Sequence, residues 1–241
     1  MNISGQTALV TGANRGIGEQ FVLELLDRGA AKVYAASRRP ETIDFGGDSR
    51  VVPVELDLLN HRTVIAAAET AADTTLLINN AGISTSTPLL TGELADIRRE
   101  MDTHFWGTLD VTRAFAPILG ANGGGGIVNV LSALSWFTVM GNGAYGAAKA
   151  AEWNMTNAIR QELVPQETFV QGVHLGAAAT DLMAGYEGPM IHPRSVARAS
   201  LDGLESGSIE VVVDEWSAWV KASLAADPAG FYAQLDARLP A

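Results

Sequence analysis

The chain has 241 residues, of which 47% are hydrophobic and 18% are charged, a composition typical of one globular domain. Its formal net charge of −11 disfavours nucleic-acid binding, because phosphate backbones repel acidic surfaces. The absence of cysteine excludes disulfides and thiolate metal sites, and we predict no metal site. No export signal or bilayer-length apolar run is evident, so we expect a cytoplasmic protein without membrane contact.

Short apolar runs alternate with helical patterns along the chain. The first run, 7–12, ends in glycine, and the segment 17–28 then has helical periodicity. Further strands are predicted at 32–36, 51–56, 75–79, 126–131, 168–175 and 209–213, and further helices at 61–71, 93–119, 142–164 and within 214–241. This alternation predicts an α/β, Rossmann-like doubly wound parallel sheet with helices on both faces, in a single domain spanning 1–241.

A glycine-rich turn separates the first strand from the first helix, in the segment Thr11-Gly12-Ala13-Asn14-Arg15-Gly16-Ile17-Gly18. Glycines there permit positive φ angles and a close approach of backbone to ligand, and the helix N-terminus attracts a pyrophosphate. The alternative is a glycine-rich turn without a ligand, which the position after the first strand disfavours.

The second strand is followed by Ser37-Arg38-Arg39, where an NAD site usually carries an acidic residue for the ribose hydroxyl. Arg38, together with Arg15, can instead supply charge-assisted hydrogen bonds to an adenosine 2′-phosphate. We therefore predict that NADP(H) is preferred over NAD(H). The alternative is that these arginines are solvated loop residues, a role that suits Arg39 better than Arg38.

Tyr145 and Lys149 are four residues apart, which places them on one face of a helix. A neighbouring ammonium favours the phenolate, so we expect Lys149 to lower the pKa of Tyr145 and fit it for acid/base catalysis. Ser132 follows a buried strand, and its hydroxyl can stabilise charge on a substrate carbonyl oxygen. A chance tyrosine–lysine pair and a turn-forming serine are the alternatives.

With these motifs in this order, the chain resembles a short-chain dehydrogenase/reductase of the single-domain type from the first strand to about Thr180. The resemblance also includes Asn79-Asn80-Ala81-Gly82. It implies that Ser132 orients the carbonyl, that Tyr145 transfers the proton, that Lys149 holds the nicotinamide ribose, and that Asp57 contacts the adenine. The predicted cofactor-binding residues are Gly12, Asn14, Arg15, Gly16, Ile17, Gly18, Ser37, Arg38, Asp57, Leu58, Asn80, Ala81, Gly82, Tyr145, Lys149, Gly176 and Thr180.

Two positions depart from the family pattern. His104 replaces the asparagine that usually supports a water-linked proton relay to the lysine. It can hold the relay water, titrate near neutral pH, or simply pack inside the helix, and we leave these three alternatives open. Gly176 follows His174-Leu175 where the family commonly has Pro-Gly, and Thr180 either contacts the cofactor or caps a helix.

A substrate-covering segment is predicted around 177–205. Its Met183, Tyr186 and Met190, with Trp136 and Phe137 after Ser132, predict an apolar pocket, although each residue alone suits packing as well. The segment has no basic cluster beyond Arg194, so the sequence does not indicate an acyl-carrier substrate.

The leading prediction is an enzyme that transfers a hydride between NADP(H) and a small-molecule carbonyl or alcohol substrate. The alternatives are a catalytically impaired NADP(H)-binding regulatory or scaffold protein, and a reductase of an imine or activated alkene. By resemblance we expect a homodimer through the helices at 93–119 and 142–164. The glycine-rich tail that many relatives use in tetramers is missing, so a tetramer is not predicted.

Overall fold

A computed structural model describes residues 1–237, so the end of the helical region predicted at 214–241 lies outside the described residues. Seven strands form one parallel sheet in the order β3-β2-β1-β4-β5-β6-β7. Their bounds are β1 Thr7–Thr11, β2 Lys32–Ser37, β3 Val51–Glu55, β4 Leu76–Asn79, β5 Gly126–Val130, β6 Phe169–His174 and β7 Glu210–Val212. The predicted Rossmann-like fold is confirmed.

Helices cover both faces of the sheet, which is why the central strands are buried and largely apolar. The helices are α1 Gly16–Asp27, α2 His61–Thr70, α3 Leu94–Met101, α4 Thr108–Ala121, α5 Gly143–Glu162, α6 Pro193–Ser206, α7 Glu215–Ser223 and α8 Pro228–Asp236. Helices α1 and α6 pack together on one face, where Phe21 and Leu201 are fully buried. The opposite face is covered by α2, α4 and α5, around the buried Phe115 and Leu119. No helix within residues 1–237 combines the length and apolar character that crossing a bilayer requires.

The sheet order reverses between β1 and β4, which are neighbours in space but are separated in sequence by two further strands. At such a switch point the loops leaving adjacent strands diverge and open a crevice at the carboxyl edge of the sheet. The loops after β1, β4 and β5 carry the glycine-rich turn, Asn80 and Ser132, respectively. The topology therefore brings together motifs that are far apart in sequence.

The single helix predicted at 93–119 is instead three consecutive segments, because a π-helical stretch, Asp102–Gly107, separates α3 from α4. Here the helix passes very close to the loop after β3: a Cβ on Gly107 would lie 2.7 Å from the Cβ of Leu58. Such π-helical turns are rare and often occur at functional sites. This one carries His104.

The chain after β6 first borders the crevice and then returns to the core. Of the covering segment predicted around 177–205, α6 packs its buried Val196, Ala197 and Leu201 into the sheet core, so only the part before α6 lies over the crevice. Helices α7 and α8 add an aromatic cluster at the far end, in which Phe231 packs edge-on against Phe137 at 5.7 Å between ring centres. The C-terminal helices thus extend one wall of the crevice.

Candidate active site

A cleft of about 740 Å³ opens at the carboxyl edge of the sheet. Every predicted cofactor residue except Gly18 lies on its wall. Gly18 instead packs beneath the glycine turn, where an added Cβ would lie 2.2 Å from the main-chain oxygen of Gly12. Its lack of a side chain is therefore what allows the turn to fold against α1.

The glycine turn forms a cradle for phosphate groups. Gly12 has a φ of +66° and Gly16 a φ of +59°, left-handed conformations that favour glycine. A Cβ on Gly12 would lie 3.0 Å from the Cα of Ala81, so a side chain there would crowd the cleft wall. Helix α1 begins directly after the turn with no side chain capping its first N–H groups, and helix N-termini attract anions. These features fit the pyrophosphate of a dinucleotide.

Hydrogen bonds hold the loops after β1 and β4 together at the floor of the cleft. The main-chain N–H groups of Asn80 and Ala81 donate to the Thr11 hydroxyl at 2.9 and 3.0 Å, and the Asn80 amide donates to the Thr11 carbonyl at 2.9 Å. Thr11 is buried, so these bonds are shielded from competing water. The Asn80-Ala81-Gly82 stretch is thereby fixed along the cleft.

Two arginines, Arg38 and Arg15, lie near the mouth of the cleft. Arg38 is exposed on the rim, directly after the buried Ser37. Arg15 forms an exposed ion pair with Asp181, with 2.7 Å between guanidinium and carboxylate. This pair joins the glycine turn to the segment before α6, across the cleft entrance. An anion entering there meets two guanidinium groups.

Ser132 and Tyr145 bring two hydroxyl groups to the inner end of the cleft. Ser132 begins a short 3₁₀ turn, and its oxygen accepts a hydrogen bond from the N–H of Leu134 at 3.1 Å. The Ser132 hydroxyl lies on the same cleft wall as Tyr145 and lowers the pKa of the Tyr145 phenol, against the larger effect of desolvation. Tyr145 is half-buried in the first turn of α5, so its hydroxyl group meets the cleft while its ring is packed.

Lys149 lies one helical turn beyond Tyr145 and is almost fully buried. Its ammonium donates to the carbonyl of Val130 at 2.8 Å and to the Glu152 carboxylate at 2.7 Å, and lies 5.9 Å from the centre of the Tyr145 ring. These bonds leave one of its three N–H groups for the cleft. The arrangement suits a lysine that binds a ribose hydroxyl.

The expected lowering of the Tyr145 pKa is only one of several opposing effects. Desolvation raises the pKa of Tyr145, the Lys149 charge lowers it, and Glu152 and Glu100 raise it again, so that the net shift is upward. Desolvation opposes the charge on Lys149 too, but Glu152 and Tyr145 hold its pKa above the ordinary value. The phenol therefore keeps its proton near neutral pH.

Two buried acids at the site escaped prediction. Glu100 and Glu152 are 0% and 2% exposed, and they lie on either side of His104. A search of helical spacing finds them, since Glu100 precedes His104 by four residues and Glu152 follows Lys149 by three. They were missed because acidic residues on helices usually belong to a solvated face.

The apolar pocket differs in part from the prediction. Phe137, Met183 and Tyr186 border the cleft, whereas Trp136 does not: its ring stacks on His174 at 4.0 Å between centres, on the other side of the 3₁₀ turn. Trp136 is therefore partly buried against His174 and is not among the residues that line the cleft, and its role in a substrate pocket stays a prediction. Met190 is likewise not on the wall, while Trp216 from α7 is and was not predicted.

The sheet order and the glycine turn define a protein of the Rossmann-like α/β class. The model of the short chain dehydrogenase family, adh_short, matches residues 6–188. The chain belongs to this family.

The chain is similar over its whole length to a crystal structure of a short chain dehydrogenase from Burkholderia cenocepacia in complex with NADP. The two are 40% identical with a TM-score of 0.93, and the match covers 100% of each chain. A short chain dehydrogenase/reductase from Burkholderia phymatum in complex with NAD has 20% identity and a TM-score of 0.85, covering 97% of this chain and 96% of the other. At 20% identity, the likeness to the Burkholderia phymatum protein supports the fold and no shared function.

Among curated relatives, a 3-oxoacyl-[acyl-carrier-protein] reductase from Synechocystis is 32% identical over 192 residues, covering 75% of this chain and 77% of the relative. The ketoacyl reductase HetN from Nostoc is 29% identical over 232 residues, covering 88% of this chain and 80% of HetN. SadH from Mycobacterium tuberculosis is 32% identical over 178 residues, which are 68% of this chain and only 62% of SadH.

Proposed function

We propose that the protein is an NADPH-dependent carbonyl reductase that also catalyses the reverse oxidation of the alcohol. The single observation that supports this most strongly is the convergence of the Ser132 and Tyr145 hydroxyl groups inside the cleft, with Lys149 one helical turn away. The cradle at the glycine turn opens into the same cleft, so the carbonyl and a nicotinamide can share it.

NADPH bound in the cleft would supply the hydride. Ser132 holds the substrate carbonyl oxygen by hydrogen bonding, and Tyr145 donates its phenolic proton to that oxygen as negative charge develops. Lys149 binds the ribose and supplies positive charge beside Tyr145. Ser132 and Lys149 are almost fully buried, so little water competes for their hydrogen bonds.

The preference for NADPH rests on the charges at the cleft mouth. Arg38 stands after β2, where a carboxylate would disfavour a 2′-phosphate, and Arg15 adds a second guanidinium. Arginine pairs with phosphate through two parallel hydrogen bonds, which gives this recognition its strength. The NADP in the Burkholderia cenocepacia relative, 40% identical, supports the same preference.

The substrate class follows from the apolar wall. Phe137, Met183, Tyr186 and Trp216 surround the inner cleft, so we propose a small to medium ketone or aldehyde with an apolar substituent. Two relatives are named as ketoacyl or oxoacyl reductases, which adds β-ketoesters to the compounds to be tested.

The test is a turnover assay with NADPH or NADH against aldehydes, ketones, diketones and β-ketoesters, with product analysis. Carbonyl reduction that prefers NADPH supports the proposal. Tight NADPH binding without turnover across the panel overturns it in favour of the scaffold alternative. Reduction of a carbon–nitrogen or carbon–carbon double bond in place of the carbonyl favours the imine or alkene alternative.

The cytoplasmic location and the homodimer through the helices at 93–119 and 142–164 stay predictions. Trp106, exposed on the π-helical segment beside α4, is a surface that such a dimer would cover. Light scattering of wild type and Trp106→Lys tests this, since the variant should shift the mass toward that of one chain. An unchanged mass would place any interface elsewhere.

A further inference from the structure

Two aromatic rings meet at the inner wall of the cleft. Trp216, in the first turn of α7, is partly buried and packs at a tilt on Trp219, with 5.2 Å between ring centres. The ring of Phe137 meets the Trp216 indole at an angle of 70°, with 6.2 Å between centres. Phe137 and Trp216 both border the cleft, and we call the pair the aromatic corner.

The aromatic corner adjoins the loop that carries Ser132. A Cβ on Gly176 would lie 3.0 Å from Cδ1 of Trp216, so the indole rests against the loop after β6. That loop is joined to the one after β5, since the N–H of Ala133 donates to the carbonyl of Leu175 at 2.9 Å. Ala133 directly follows Ser132 in sequence. A substituent on a carbonyl held by Ser132 therefore has this corner within reach.

Asp214 fixes the helical turn that carries Trp216. One of its oxygens accepts a hydrogen bond from the main-chain N–H of Ser217 at 2.8 Å. The other accepts from the Ser217 hydroxyl at 2.9 Å and from the N–H of Gly176 at 2.8 Å. Ser217 is fully buried, so water competes little for these bonds. The carboxylate thus ties the start of α7 to the loop after β6.

An aromatic wall that is already fixed favours a flat aromatic ligand. Aromatic rings attract each other in offset-stacked and edge-on arrangements, beyond what the buried area alone gives. A side chain held in place before binding loses little conformational freedom when the ligand arrives, so more of that attraction contributes to affinity. The hydrogen bonds of Asp214 and the packing on Trp219 hold the Trp216 indole in this way.

We propose that Trp216 is a specificity-determining residue that packs against the ring of an aromatic ketone or aldehyde, and that Asp214 is the positioning residue that holds it there. This deepens the proposed function and rests on it. The substrate ring lies in the aromatic corner while the carbonyl oxygen faces Ser132 and Tyr145. Asp214 acts only through the indole and touches no substrate.

Two ketones separate aromatic recognition from size. Acetophenone and cyclohexyl methyl ketone carry the same methyl carbonyl and equal numbers of ring carbons, but only acetophenone is aromatic. The ratio of their kcat/KM values is compared between proteins, because intrinsic reactivity then cancels. Trp216→Leu should lower the acetophenone preference about fivefold, mainly through a higher KM for acetophenone, and Trp216→Phe should keep most of it. An unchanged ratio in Trp216→Leu overturns the proposal.

Trp153→Leu is the matched control. Trp153 is also a partly buried tryptophan, but it packs against Trp136 and His174 and is not on the cleft wall. Its loss should lower stability while the ratio for the two ketones stays at the wild-type value. A fall as large as that in Trp216→Leu would make the effect one of general packing and overturn the assignment.

Asp214→Ala tests the positioning role. It should lower the ratio as Trp216→Leu does, and Asp214→Asn, which keeps one acceptor oxygen, should recover part of it. A merely structural loss would instead lower kcat/KM for both ketones alike. Combining Asp214→Ala with Trp216→Leu should lower the ratio no further than Trp216→Leu alone, and multiplying losses would show that Asp214 does not act through Trp216. If Asp214→Ala does not fold, Ser217→Ala, which removes one hydrogen bond to Asp214, carries the same comparison.

Failure of this inference differs from failure of the proposed function. Reduction of other carbonyl compounds without an acetophenone preference that depends on Trp216 overturns the inference alone. If no carbonyl compound is reduced, the proposed function fails, and saturation-transfer NMR with NADPH present then measures binding of the two ketones. Tighter binding of acetophenone that Trp216→Leu abolishes supports the aromatic corner as a ligand site. Equal binding of the two ketones to the wild type overturns it.

Discussion

The Nδ1 atom of His174 lies 3.0 Å from the main-chain oxygen of Ser132, so a fully buried imidazole supports the strand end that carries the cleft serine. Trp136 stacks on the same ring. The other ring nitrogen of His174, Nε2, has no hydrogen-bond partner within the described residues. An N–H donor at Nδ1 and an apolar stacking partner both suit the neutral form. Acid should therefore weaken this support.

Stability should fall in acid because of His174. Burial lowers the pKa of His174 from 6.5 to about 4 in the folded protein, so between these values the unfolded chain takes up a proton that the folded chain does not. The His174 contribution is fully present above the unfolded pKa and is lost as the pH falls toward about 4, at a total cost of about 3 kcal/mol.

Urea unfolding of wild type and His174→Gln at a series of pH values tests this loss. The variant should be less stable at neutral pH, because it lacks the ring that stacks on Trp136, but its stability should fall less over the acid range. Parallel pH curves for the two proteins would mean that other groups cause the acid loss.

Tyr145→Phe should abolish most carbonyl reduction, by about 100-fold or more, because the phenylalanine has no proton to give. NADPH binding, measured by fluorescence, should change little, since the ring and Lys149 remain. Both measurements are needed together. Full turnover by the variant would rule out Tyr145 as the acid.

Arg38→Ala should weaken NADPH binding by about tenfold or more and NADH binding far less, because only NADPH carries the 2′-phosphate. Arg39→Ala is the matched control, one residue further along the same exposed loop. Calorimetric titration of both variants with both cofactors gives the comparison. Equal weakening toward the two cofactors would show that Arg38 does not contact the phosphate.

Gly18→Ala should open the glycine turn, because the new methyl group would lie 2.2 Å from the carbonyl oxygen of Gly12 and backbone cannot move aside cheaply. We expect a loss of about 1 to 3 kcal/mol in the free energy of unfolding and weaker NADPH binding. Gly230→Ala on α8 is the control, since its Cβ meets nothing nearer than 3.6 Å and alanine favours helix. Comparable unfolding curves for the two variants would contradict the predicted clash.

The strands and the class of fold were predictable because central parallel strands are buried on both faces and so appear as near-continuous apolar runs. The interruption of the helix at Asp102–Gly107 was not predictable from the sequence, because it depends on how closely Gly107 approaches Leu58 in the folded protein. Local periodicity carries no information about that contact. The same limit hid the true neighbours of His104.

The candidate site was predictable where a motif lies on a strand end or on one helix face, as Ser132 and the Tyr145–Lys149 pair do. It was not predictable where the path of a loop determines which side chains line the cleft. The 3₁₀ turn Ala133–Ser135 sends Trp136 toward His174, while Trp216, eighty residues away in sequence, supplies the cleft wall.

That wall has a consequence for how substrate choice can change. The family match ends at residue 188, whereas Trp216 and the aromatic cluster of α7 and α8 come after it, joined to the loop after β6 by a hydrogen bond from Gly176 to Asp214 at 2.8 Å. Part of the apolar wall of the cleft thus comes from a stretch outside the family match, while Ser132, Tyr145 and Lys149 lie within it. Changes confined to the terminal stretch would alter one wall of the cleft and leave the positions of Ser132, Tyr145 and Lys149 unaltered.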